Sequence, residues 1–480
     1  MCRYTTRMRP PQATPLVLVA IAGALALFPA AAIGAPTAQG SLAQLDGRSG
    51  CLVDRSESRR GCKEVRALDG PAPFLGSNAV AISRDGKNVY VAASRSDAIA
   101  VFRRNSRTGK LTQRSGTAGC IAAGGAGGCA EARGLNGPNS VAVSPDGKNV
   151  YATSLISDAV SVFRRKQSTG ALTQARGGSG CISNRTVPGC AVGRALDGPD
   201  VVTVSPNGDN VYVGAFIGNA VAAFARDAST GALTQPSDTT GCIVNTPTAG
   251  CATGLVLAAP EGMAISADGN NVYVASAVSN ALGVFTRNPS TGALTQATDG
   301  TGCIVNSPLS GCTTGTQLSG ANAVAVSSDD DNVYVTSLLS NSLTTFNRAA
   351  STGQLTQQTG TSACVIYVRA VGCSLGRAFS APEGVAVSSD GASVYAAAFK
   401  SGAVDVFNRS ADSGSVIQKS RRRGCLTGRA TPDCARGRAL SGASSLAVSP
   451  DGRHLYSGSF ASNSVGVFKR VARTRPTGGG

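Results

Sequence analysis

Tyrosine recurs at positions 90, 151, 212, 273, 334, 395 and 456, each 61 residues after the last, and phenylalanine keeps the same step from Phe102 through Phe468. A period of this size admits few folds, because each unit is too small to bury its own apolar face and must stack on copies of itself. In the unit spanning 139–181, "SVAVS", "NVYATS", "AVSVF" and "ALTQ" read as four strands, separated by "PDGK", "LISD" and "KQSTG". Pro-Asp-Gly and Thr-Gly supply preset or positive φ at these junctions. The expectation is an all-β protein, a seven-bladed β-propeller with four antiparallel strands per blade.

Strands such as "VYV" and "AVSVF" are small or apolar throughout, as sheets buried on both faces require. The Tyr and Phe columns are therefore assigned to the core. With 60 Gly, no Trp and 5% aromatics, the chain has little material for long amphipathic helices. The seventh unit stops after its third strand, "SVGVFKR", which would leave an open sheet edge. The N-terminal phrase "GSLAQLDGRSGC", ending at Cys51, matches "GALTQARGGSGC", ending at Cys181. Residues 41–45 are thus expected to pair with the strand ending near Arg470 and to close the ring.

Before the repeats, Arg3, Arg7 and Arg9 precede the apolar run "PLVLVAIAGALALFPAAAIGA". Residues 1–35 read as a secretory signal, with a retained N-terminal anchor as the rival, and no later segment is long enough to span a bilayer. The propeller is assigned to 36–470, and "VARTRPTGGG" at 471–480 to a disordered basic tail. Loss of Cys2 with the signal leaves fourteen cysteines in seven doublets: Cys51/Cys62, Cys120/Cys129, Cys181/Cys190, Cys242/Cys251, Cys303/Cys312, Cys364/Cys373 and Cys425/Cys434. An even count in an exported chain implies disulfides, whereas structural zinc prefers closer Cys-x2-4-Cys spacing. Bonding within each doublet is favoured, with bridges between neighbouring loops as the alternative. A secreted or envelope-associated location follows.

The units "SPDGKNVYATS", "SPNGDNVYVGA" and "SSDDDNVYVTS", each followed by a strand like "AVSVF" and then by "STGALTQ" or a near copy, resemble the YVTN-type seven-bladed propellers of the lactonase-like superfamily. The likeness covers nearly all of the chain after residue 35. It implies the propeller fold and allows a 6-phosphogluconolactonase-like activity, since the superfamily holds such lactonases, muconate-lactonizing enzymes and many exported propellers. Lactonase-type members often carry a His just before the first strand of a blade. Here that slot holds Asn78, Asn139, Asp200, Glu261, Asn322, Glu383 and Ser444, with no His in any unit.

Three of these seven are carboxylates, and two of the five glutamates in the chain are among them, in the matched phrases "APEGMAIS" and "APEGVAVS". Such a ring of acceptors at a channel mouth can hold a divalent cation, a sugar or another polar small molecule. Alternatively, the side chains satisfy backbone groups at the strand start. On the same face lie the apolar tips Leu155, Ile156, Phe216, Ile217, Leu338, Leu339, Phe399 and Phe460, either an interaction surface or satellite core. The only histidine, His454, takes the place held by Asn88, Asn149 and Asn271 in other units and is not expected to be catalytic. Asp85, Asp146, Asp268, Asp390 and Asp451 sit in turns and should hydrogen-bond locally.

The formal charge of +17 becomes 17 − 3 = +14 without the three signal arginines. It is lopsided. Between Arg226 and Arg348 the only basic residue is Arg287, whereas Arg55, Arg59, Arg60, Lys63, Arg66, Lys419, Arg421, Arg422, Arg423, Arg436, Arg438, Lys469, Arg470, Arg473 and Arg475 crowd the closing seam. An anionic envelope polymer is the expected counterpart, and nucleic acid is not expected because aromatics are scarce near the charge.

The preferred function is an exported, monomeric binding or scaffold module at the cell envelope, with the channel-mouth face taking a small polar ligand and no obligatory cofactor. The rival is a lactonase-like hydrolase using Asp200, Glu261 and Glu383 as base or cation ligands. A purely structural envelope protein is the third reading.

Overall fold

The computed structural model describes residues 39–57, 61–71, 78–429 and 431–471. The expected signal at 1–35, the tail beyond Val471, and Arg59, Arg60, Arg473 and Arg475 lie outside the described residues.

Seven sheets are arranged as the blades of a propeller. In the second blade the inner strand Pro138–Val143 pairs with Asn149–Ser154, which pairs in turn with Ala159–Arg165, all antiparallel. The fourth position is shared by two segments. Leu172–Gln174 pairs with Phe163–Arg165, and Cys181–Ser183 pairs with Ala159–Ser161. The intervening "RGGSG" breaks the strand, with Gly177 at φ 64° where other side chains would be strained. A further short strand, Ala191–Val192, then adds in parallel outside Cys181–Ser183. The four expected antiparallel positions are present, but the outermost is split and carries an edge strand that the sequence pattern does not announce.

All seven disulfides form within doublets, so the bridges between neighbouring loops are excluded. Each ties the outer segment of a blade to the start of the edge strand or the loop just before it. Closure follows the expected route: Leu42 pairs with Arg470, Ala43 with Lys469 and Gln44 with Phe468, and Cys51–Asp54 continues along Ser464–Gly466.

The Tyr and Phe columns are fully buried between blades. Tyr151, for example, packs with Val202, Val211, Val213 and Phe224 of the next blade. Burying one such ring contributes roughly 2–3 kcal/mol.

A third column completes each seam. Arg226 donates from Nε to the Tyr151 hydroxyl at 2.8 Å, from Nη2 to Asp146 Oδ2 at 2.7 Å and Asn149 Oδ1 at 2.6 Å, and from Nη1 to the Gly208 carbonyl at 2.9 Å. Tyr151 in turn donates to the Gly231 carbonyl. The Arg-to-Tyr bond repeats at every seam, through Arg104, Arg165, Arg287, Arg348, Arg409 and Arg470. The turn aspartates therefore do more than bond locally. Asp146 accepts from Ser144 at 2.6 Å and also pairs across the blade boundary with Arg226. Burial pushes its pKa up, but the hydrogen bonds from Ser144 and Arg226 outweigh that and hold it below the ordinary value.

His454 belongs to this seam. Its Nδ1 lies 2.8 Å from Arg104 Nη2, and burial together with the Arg104 charge pushes its pKa down to about 4. It is a neutral structural group.

Candidate functional site

The inner strands run along the central axis, and each of blades two to seven carries a β-bulge at its start. Register slips between Pro138 and Ser140, so Asn139 is the extra residue; the same slip falls on Asp200, Glu261, Asn322, Glu383 and Ser444. A bulge re-aims a side chain out of the strand pattern. These side chains consequently reach from blade to blade around the axis. Asn139 Nδ2 donates to Asp200 Oδ1 at 2.6 Å, and Asn322 Nδ2 donates to the Pro382 carbonyl at 3.2 Å.

The expected open mouth needs correction. Asn78 is exposed, but Asn139 is only 6% exposed and Asp200, Glu261, Asn322, Glu383 and Ser444 are 1–3% exposed. The bulges turn the ring inward, and two glycines let neighbouring inner strands close over it. A Cβ on Gly262 would lie 2.6 Å from the Asn322 carbonyl oxygen, and one on Gly384 2.5 Å from that of Ser444. The glycine after each axial glutamate is thus a packing requirement, and it explains the matched phrase "PEG".

Burial governs the electrostatics. It raises the Asp200 pKa to about 7 against the opposing hydrogen bond from Asn139. It raises Glu261 to about 9, with repulsion from Asp200 adding to it, and Glu383 to about 9, with repulsion from Glu261 and Asp200 adding to it. The three acids therefore sense one another around the axis. At neutral pH both glutamates are protonated and Asp200 is near its midpoint. Asp200 Oδ2 and Glu383 Oε2 are buried and have no hydrogen-bond partner among the described residues. Backbone satisfaction thus accounts for Asn322 but not for these two oxygens. Among the described residues no three His, Cys, Asp or Glu side chains converge as a metal site.

The tips on the same face divide. Leu155, Phe216, Leu338, Phe399 and Phe460 are half-buried, whereas Ile156, Ile217 and Leu339 are 52–65% exposed. Val278, which sequence reasoning missed, completes an apolar arc over blades two to five at the same repeat position. Arg95 and Lys400 take that position at the two ends of the arc, and Arg95 stacks 4.4 Å above the Phe460 ring.

The charged seam is smaller than expected. Arg470 is buried and paired with Asp390, and Lys419 is buried against Asn408, its pKa lowered to about 8 by burial and by the nearby Arg470 and Arg423. Arg226, Arg287 and Arg348 are likewise buried, so the third to fifth blades expose even less positive charge than the sequence suggests.

The model of the seven-bladed β-propeller lactonases matches residues 122–249, 201–310 and 303–425, more than half of the chain. The chain belongs to this lactonase family. No significant match is found among curated proteins. Among solved structures, the periplasmic gluconolactonase of Pseudomonas aeruginosa is similar over 79% of this chain and 93% of its own, with 17% identity and a TM-score of 0.51. The hydrazine synthase of Kuenenia stuttgartiensis is similar over 84% and 98%, also at 17% identity, with a TM-score of 0.50. Two such different names at equal likeness show that the shared property is the fold. The seven disulfides point to an oxidising compartment outside the cytoplasm. No helix among the described residues is long and apolar enough to cross a membrane.

Proposed function

We propose that this family member is an exported binding module of the cell envelope whose axial ring takes a small polyhydroxylated or cationic ligand. Asp200, Glu261 and Glu383 would make the principal contacts, Asn139, Asn322 and Ser444 would complete the polar wall, and Asn78 would face the approaching ligand. The observation that carries this reading is the pair of unpartnered buried oxygens, Asp200 Oδ2 and Glu383 Oε2. Leaving such an atom unpaired costs about 1–3 kcal/mol, which a ligand hydroxyl or ammonium would recover. The ring closes within one chain, so a monomer suffices. Thermal-shift and calorimetric titration with sugars, polyols and amines should find a saturable ligand whose binding is lost in Asp200→Asn and Glu383→Gln. A panel with no saturable binder contradicts the reading.

A second reading, lactone hydrolysis, is favoured by the spread of acidities in the ring. Asp200 near 7 can accept a proton from water, while a glutamic acid near 9 stays protonated and can donate to a lactone carbonyl. Acid release from a lactone panel, measured with and without chelator, tests it. Turnover abolished by Asp200→Asn, Glu261→Gln or Glu383→Gln would establish catalysis, and an inert protein would remove it.

A further inference from the structure

On the face opposite the axial ring, a cleft of about 770 Å³ opens where the first blade meets the second. Lys87, Arg103, Arg107 and Arg114 line it, and Ser168 and Thr169 of the next blade wall it with hydroxyls. All four cations are exposed and none forms an ion pair with a described residue. A fifth, Arg104, is buried and already committed to Asp451 and Tyr456. Among the described residues no acidic side chain lines the cleft.

The repeat supplies its own control. The equivalent cleft between the fifth and sixth blades has about 700 Å³ and is lined by Asp331, Asn347, Gln358 and Asp412. Asp331 stands where Lys87 stands, Asn347 where Arg103 stands and Gln358 where Arg114 stands. The fold is thus indifferent to charge at these positions. Four like charges in one cleft nevertheless repel one another, a cost that an anionic ligand relieves. The charge also continues sideways: Arg453 and Lys469 on the seventh blade, and Lys148 and Arg164 on the second, repeat the first two positions and are exposed. On the third to fifth blades those positions hold Asp209, Ala225, Asn270, Thr286, Asp331 and Asn347.

We propose that the first-blade cleft, with its flanks, binds an acidic polysaccharide, carboxylate groups meeting the cations and sugar hydroxyls meeting Ser168 and Thr169. A run of adjacent basic clefts suits a polymer better than a single anion. Among the described residues no aromatic side chain lines the cleft to stack a base, which disfavours single-stranded nucleic acid. This site is separate from the axial ring, and neither depends on the other.

The test uses the purified protein, polygalacturonate oligomers, and their methyl-esterified, neutral counterparts as probes. One variant combines Lys87→Asn, Arg103→Asn, Arg107→Ser and Arg114→Gln, residues that other blades already carry at these places. A control removes four exposed charges elsewhere: Arg55→Gln, Arg422→Gln, Arg429→Gln and Arg436→Gln. Binding of the acidic oligomer should fall about tenfold or more in the cleft variant, remain within about twofold in the control, weaken with salt and vanish for the neutral oligomer. Equal losses in both variants, no binding by the unaltered protein at low salt, or tighter cleft-dependent binding of oligonucleotides than of polygalacturonate would overturn the proposal.

Discussion

The molecule sets acidic groups at its blade seams, where they stay partly exposed, and at its axis, where they are buried, and treats the two sets oppositely. At the blade seams the carboxylates of Asp85, Asp146, Asp268, Asp329, Asp390 and Asp451 meet a buried arginine, and their pKa values lie below the ordinary value. At the axis Asp200, Glu261 and Glu383 meet no cation and are raised. Ion pairing to a partly exposed carboxylate, with complete hydrogen bonding, is how a fold keeps a buried arginine charged for its own cohesion. Acids that burial has neutralised, with oxygens left over, are chemistry the fold does not use for itself.

The severest way to break this contrast is to remove one seam cation. Arg226→Ala should strand the buried Asn149 and Tyr151 hydroxyl, leave Asp146 to water, and cost about 2–4 kcal/mol in denaturant unfolding. A loss under about 1 kcal/mol would mean that the seams are not cohesive units.

The two regions should also respond to pH with opposite sign. For a seam aspartate the folded pKa lies below its unfolded value of 3.8, so its stabilisation is present above that value and lost as pH falls through the lowered one. For Glu383 the folded pKa of about 9 lies above the unfolded 4.5, so the folded state holds the extra proton between them. Stability should therefore fall as pH rises from about 4.5 to about 9, by up to about 1.4 kcal/mol per pH unit for this group. Glu383→Gln mimics the protonated acid and should flatten the decline, making the variant the more stable protein at pH 8. An unchanged slope would place the carboxylate in contact with water.

Smaller changes sharpen the seam side. Tyr212→Phe removes a hydroxyl that accepts from Arg287 and donates to the Gly292 carbonyl, and should cost about 1–2 kcal/mol by thermal or chemical unfolding. His454→Asn restores the residue most other blades use beside the arginine. It should shift stability at pH 7 by less than about 1 kcal/mol, while removing the loss that the neutral His causes between pH 6.5 and about 4, where the unfolded chain takes up a proton first.

Much of this was legible in the sequence because a repeat turns three-dimensional neighbours into columns. The Tyr and Phe core, the closing strand at Leu42–Gln44 and the Cys181–Cys190 type of pairing all follow from the period and from local turn chemistry. The arginine column was equally periodic, at 104, 165, 226, 287, 348, 409 and 470. It was overlooked because an arginine at a strand end reads as a solvated charge, and its partners lie about one blade away, at Tyr151 and Asp146 for Arg226. The axial ring was visible as a column of polar residues, but its burial was not. That depends on bulges at Asn139 and its counterparts, and on the close approach at Gly262 and Gly384, neither of which has a local sequence signature. The split outer strand was hidden for a related reason: Gly177 interrupts pairing without ending the blade.

The protonation of the axial glutamates is the central claim, and the chain has only five glutamates with which to test it. Carboxyl-carbon NMR of protein labelled at glutamate, with Glu261→Gln and Glu383→Gln to assign the signals, reads it directly. The account predicts that these two titrate near 9. Titration of both near the ordinary value of 4.5 would contradict it.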